Sequence, residues 1–145
     1  MRLSSKGEYG LLALVDLAMH AGEEPVQVAQ IAERQGIPKQ YLDQLLISLK
    51  RAGLVASSRG RQGGYWLAKL PEKISLLDSV RALEGPVVND NFLGKSTRRK
   101  HLCHAALRRV WERLTELSLE VLREKSLQDL ASECKPVEGA VMYYI

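Results

Sequence analysis

The sequence predicts a mainly α fold, a winged helix-turn-helix with a two-stranded β wing and a long C-terminal dimerisation helix. Three observations carry this. A helical apolar pattern closes at Gly36 and restarts at Ile37-Pro38. Two short strand-like runs flank Arg59-Gly60-Arg61-Gln62-Gly63-Gly64. Residues 100–125 keep helical apolar spacing without a breaker. With 145 residues, 46% of them hydrophobic, the chain has the size of one globular domain with an appended arm.

The elements follow in order. Ser5-Lys6-Gly7-Glu8 has capping-box spacing and starts a first helix, whose stripe is Leu11, Leu12, Val15, Ala18 and Met19 until Gly22 and Pro25 stop it. A second helix covers 28–35, with Ile31 and Ala32 inward and Gly36 as its left-handed cap. Pro38 suits the first position of a third helix, where its missing amide costs nothing. That helix faces Leu42, Leu45, Leu46 and Leu49 inward, so Gln40, Gln44 and Arg51 point the opposite way.

Strands are predicted at 54–58 and 65–67, with glycines permitting a tight hairpin tip that carries Arg59 and Arg61. A fourth helix follows at 74–83 and a loop at 85–100. In the long helix, Leu107, Val110, Trp111, Leu114, Leu117, Val121 and Leu122 form the apolar face. A rod of about 39 Å outruns the small domain it would pack on, so a partner subunit is the economical explanation. Ser126-Leu127-Gln128-Asp129 caps a last short helix to about 133, before the tail. The organisation expected is a winged domain at 1–84, the loop at 85–100, and the dimerisation helix, last helix and tail at 101–145.

The net charge is +4, unevenly spread. Between Arg34 and Lys69 stand Arg34, Lys39, Lys50, Arg51, Arg59, Arg61 and Lys69 against the single acid Asp43, a local excess of +6. Phosphate neutralisation supplies most nucleic-acid affinity, so this clustering on the helix-turn-helix and hairpin points to double-stranded DNA. Lys39, Gln40, Tyr41 and Gln44 at the start of the third helix would reach bases or phosphates, glutamine pairing with adenine. Arg59 and Arg61, with Gln62, Gly63 and Gly64, form a tip suited to a minor groove, and Arg2 adds a basic group in the N-terminal arm.

Several classes are excluded. The segment 60–64 lacks the Lys-Ser/Thr of a phosphate-binding loop and leads into a strand. No catalytic Ser/His/Asp set, nucleophile elbow or His-Glu-x-x-His occurs, so no enzyme is expected. No stretch is apolar enough for a membrane span or reads as a signal peptide, and two cysteines cannot form a disulfide scaffold, so a reducing cytoplasm is expected.

Met1-Arg2-Leu3-Ser4-Ser5-Lys6-Gly7-Glu8-Tyr9, Ile31-Ala32-Glu33-Arg34-Gln35-Gly36-Ile37, Tyr41-Leu42-Asp43-Gln44-Leu45, Gly53-Leu54-Val55 and Arg59-Gly60-Arg61-Gln62-Gly63-Gly64-Tyr65 resemble the Rrf-two family of bacterial winged-helix transcription regulators. The likeness is specific over 1–83 and weaker onward through Trp111 and Ser126-Leu127-Gln128-Asp129-Leu130. It implies a homodimer held by the long helix on a palindromic promoter site, acting as a repressor, with recognition helix 38–52 and wing arginine Arg59.

Many members hold an iron-sulfur cluster through three cysteines in the loop and the start of the long helix. Here 85–100 has no cysteine, and Cys103 lies eight residues before Trp111, where cluster-bearing members place the last cysteine six before, the position of Ala105. A cluster would need non-standard ligands, for which Cys103, His104 and Glu8 are the candidates, with His101 beside them. Glu8 matches an acidic ligand that some members supply from the partner subunit. Cys103 and Cys134 offer a redox pair instead. Other members answer to a partner protein, so the alternative is a regulatory interaction protein that works on a partner enzyme through the long helix, without a cluster.

Overall fold

The computed structural model describes residues 2–87 and 102–134. Helix α1 spans Ser5–Met19, α2 Val28–Gln35 and α3 Lys39–Arg51; strands β1 (Val55–Ser58) and β2 (Gly64–Leu67) follow, then α4 (Leu76–Glu84), α5 (Leu102–Glu124) and α6 (Leu127–Cys134). A single 3-10 turn at Pro71–Lys73 leads into α4. The expected loop lies outside the described residues beyond 87, as does the tail beyond 134.

Helix α1 is the centre of the molecule, and this shifts its expected face. Ala13, Leu14, Leu17 and Ala18 are buried, whereas Leu12 is exposed and Leu11, Val15 and Met19 are only partly covered. Small residues define one side of it: a side-chain carbon at Gly10 would collide with Leu83, so its absence lets α4 come close. The start of α1 also differs. Ser4, not Ser5, is the N-cap, its Oγ accepting from the Gly7 amide at 3.1 Å. Glu8 therefore lies inside the first turn, with its amide donating to the Ser4 carbonyl at 2.9 Å, and takes no part in a capping box.

The next helices follow their sequence closely. α2 closes on Gly36 at φ 64, a left-handed conformation costly for any side chain with a Cβ. Pro38 sits one position earlier than expected, as the N-cap of α3, with the helix starting at Lys39. Leu42, Leu45, Leu46 and Leu49 are all buried.

β1 and β2 pair antiparallel, Val55 opposite Leu67 and Ser58 opposite Gly64. Val26 extends this ladder by exchanging two backbone hydrogen bonds with Tyr65, at 2.8 and 2.9 Å. Ser75 caps α4 and Ser126 caps α6, each closing a box with the aspartate three residues on. The two capping segments lie side by side, Leu76 N–H donating to Lys125 O at 2.7 Å and Leu127 N–H to Ile74 O at 2.9 Å. The core therefore draws on both ends of the chain: Leu127 and Ala131 of α6 are fully buried within the cluster built by α1, α2, α3 and the wing. α5 contributes no buried residue.

Candidate nucleic-acid interface

The surface opposite the α3 core carries the expected polar residues. Lys39, Gln40 and Gln44 are exposed, and so is Arg51 in the last turn. Lys39 Nζ lies 3.7 Å from Asp43 Oδ2, a solvent-exposed pair one turn apart. Tyr41 is only partly turned outward, at 36% exposure, because its ring packs edge-on against Tyr9 of α1 with centroids 5.7 Å apart. Lys50 turns toward the wing, its Nζ donating to Ser57 Oγ at 2.7 Å.

The wing tip presents Arg59, Arg61 and Gln62 to solvent. Its two following glycines serve the backbone instead. Gly63 is buried, and any Cβ on it would strike the Ser58 and Arg59 main chain; Gly64, at φ 155, lies against the Val26 main chain. Gln27, which the sequence pattern did not single out, holds this tip: its side-chain amide donates to the Gly63 carbonyl, while its own N–H donates to Gln30 Oε1 at 3.1 Å. The only sequence signal was its place one residue before α2, where an N-cap is needed.

Arg34 counts toward the basic window but is committed inward. Its Nε and Nη2 donate to the two oxygens of Asp16 at 3.0 and 2.7 Å, and Gln35 Nε2 adds a third bond at 2.9 Å. The Asp16 hydrogen bond holds the guanidinium even more firmly in its charged form, against the desolvation that opposes it. The guanidinium of Arg34 is thus engaged by Asp16, whereas the basic side chains of α3 and the wing tip stand exposed. In the N-terminal arm, Arg2 is exposed, and Ser4 behind it is fixed by Glu84, whose Oε1 accepts from Ser4 N–H at 2.9 Å and Ser4 Oγ at 2.5 Å. These bonds, the hydroxyl first, hold the Glu84 carboxyl below its usual pKa.

A helix-turn-helix with an arginine-tipped wing is the architecture of a DNA-binding regulator, and the family comparison agrees. The Rrf2 family, described as an iron-dependent transcriptional regulator, matches residues 3–133. The chain belongs to the Rrf2 family. Among curated relatives, the transcriptional regulator CymR of Bacillus subtilis strain 168 is 38% identical over 145 residues, covering 100% of both chains. Among solved structures, the CymR described as the global cysteine regulator of B. subtilis superposes with a TM-score of 0.82 at 36% identity, covering 93% of this chain and 99% of that one. The IscR of T. potens gives 0.76 at 38% identity, covering 99% and 94%. Rrf2 membership makes this chain a helix-turn-helix transcription regulator.

The iron in the family description requires a donor set, and the described residues of one chain do not bring one together. Cys103 is exposed in the first turn of α5, His104 follows it, and Glu8 is exposed on α1. Among the described residues no three His, Cys, Asp or Glu side chains come together to hold a metal ion, so the expected grouping of Cys103, His104 and Glu8 does not form within one chain. Iron-sulfur clusters are held by several thiolates, and this chain has two cysteines in all, the second at the end of α6. Both thiols are free and exposed. No helix among the described residues is long and apolar enough to cross a membrane.

Proposed function

We propose that this regulator is a cytoplasmic homodimer that represses transcription by covering a palindromic promoter site. The observation that carries this reading is the division of α3 into a buried leucine face and an exposed polar face beside the arginine-tipped wing. Two such helices would enter successive major grooves about 34 to 36 Å apart, with Arg59 and Arg61 in the flanking minor grooves and Arg2 on the backbone.

The second subunit is argued from α5. Leu107, Val110, Leu114, Leu117 and Val121 recur at steps of three and four and remain 40 to 60% exposed, the seam of a helix pair lacking its second strand. A helix of 23 residues, about 35 Å long, cannot bury that seam on its own domain. Its lower end is tied to the core through the paired caps at Ser75 and Ser126, so a movement between two α5 helices would reach both winged domains. The exposed thiols Cys103, in the first turn of α5, and Cys134, at the end of α6, would be the regulator's redox-sensitive groups.

Sedimentation analysis of the full chain, free and with a duplex recovered from a random pool, tests the reading. Two chains per duplex are expected, and Leu114→Glu should give a folded monomer with weak DNA binding. A wild-type monomer on a single half-site would overturn the dimer. Retention of a second protein through α5, with no DNA affinity, would favour the partner-enzyme alternative.

A further inference from the structure

The outer line of α3 contains one residue that polar recognition does not use. At 100° per residue, Gln40, Gln44, Ile47 and Arg51 fall within about 60° of one another, directly opposite the centre of Leu42, Leu45, Leu46 and Leu49. Ile47 therefore lies on the outward side, about 150° from the centre of the buried face, and it is 40% exposed. A single exposed aliphatic residue needs no explanation in general. Here folding gives no reason for it: a β-branched residue is a weaker helix former than the lysine, glutamine or arginine around it. Its neighbours one turn either way, Gln44 and Arg51, are the groups that face DNA in the reading above.

We propose that Ile47 determines sequence specificity by packing its branched side chain against the 5-methyl group of a thymine in the major groove. This rests on α3 being the recognition helix. The major groove offers one apolar feature, the thymine methyl, and an aliphatic side chain between two polar readers is the chemical complement to it. Glutamine at 44 supplies the hydrogen bonds that adenine requires, so an adjoining A·T pair would satisfy both residues.

Uracil substitution removes the methyl and nothing else. The full chain is used to enrich duplexes from a random pool, and affinities are measured for wild type, Ile47→Ala and Gln44→Ala on the enriched duplex and on versions with each thymine replaced singly by uracil. One thymine per half-site should be found at which uracil weakens wild type about fourfold, the value of burying one methyl group. Ile47→Ala should bind the thymine duplex about fourfold more weakly and be indifferent to uracil at that position. Ile47 is exposed, so an unchanged melting curve should accompany the loss. Wild type indifferent to uracil everywhere, or Ile47→Ala retaining wild-type sensitivity, overturns the inference. If Gln44→Ala weakens binding in that case, only the role of Ile47 fails. If no duplex is enriched, or Gln44→Ala is also neutral, α3 is not the recognition helix and both readings fall.

Discussion

Arg34 grips the buried carboxylate of Asp16 with two hydrogen bonds, and this fork fixes α2, and α3 behind it, on the central helix. Asp16 is 1% exposed and Arg34 still reaches solvent at 37%, so the two partners are not equivalent. Removing the arginine leaves the buried carboxylate with the Gln35 amide and the nearby His20 ring but no guanidinium, whereas removing the aspartate frees a guanidinium that water can take up. Arg34→Ala is expected to destabilise the fold by about 3 kcal/mol in urea unfolding, more than Asp16→Ala. Its DNA binding should keep the wild-type salt dependence, because the Arg34 guanidinium is engaged by Asp16. A loss below about 1 kcal/mol would contradict the fork's role, and a shallower salt slope would move Arg34 into the interface.

Glu84 gives the fold an acid-sensitive contact. Its bonds to Ser4 lower its pKa from the ordinary value of 4.5, so the folded state favours the carboxylate. A depressed folded value means stability present above the unfolded pKa and lost as pH falls through the folded one. Glu84→Gln should melt below wild type at pH 6 to 7, and the gap should close as the pH falls below the ordinary carboxylate value and through the lower folded one, where the protonated acid resembles the amide. Thermal melting across that range checks it; a gap independent of pH would contradict the charged contact.

Arg59 stands exposed on the wing tip. Arg59→Ala should weaken specific DNA binding by about 1 to 3 kcal/mol and reduce the salt slope by about 1 if its contact is to phosphate. Anisotropy titrations at several salt concentrations separate the two effects, and unchanged affinity would remove the residue from the interface.

The donor set speaks against a cluster. Full-length protein purified anaerobically should be colourless and free of acid-labile sulfide. A brown protein that loses its colour in Cys103→Ala would show a cluster held at Cys103, with Glu8 and His104 the next positions to change.

Much of the fold was legible because local chemistry and tertiary packing agree there. Gly36 and the four leucines of α3 mark both the turn and the buried face, and the Ser126 box starts α6 where the spacing places it. α1 was legible as a helix but not in its face. It is surrounded on several sides, so small residues such as Gly10 and Ala13 carry close packing that a search for large apolar residues overlooks. At the interface, residue type and charge pointed to α3 and the wing. Long-range commitments did not show: nothing near Arg34 in sequence announces Asp16 eighteen residues earlier, and nothing near Gln27 announces Gly63. Ile47 was not singled out by the sequence pattern; its outward position shows once α3 is placed against its core.

The central claim is that α3 and the wing bind DNA through phosphate neutralisation and base contacts together. The direct measurement is the affinity of the full-length chain for an enriched duplex and for an unrelated one, at salt from about 50 to 200 mM. The account predicts affinity falling steeply, by about a thousandfold for six phosphate contacts, with the enriched duplex bound at least about a thousandfold more tightly throughout. Affinity independent of salt, or equal for the two duplexes, would contradict it.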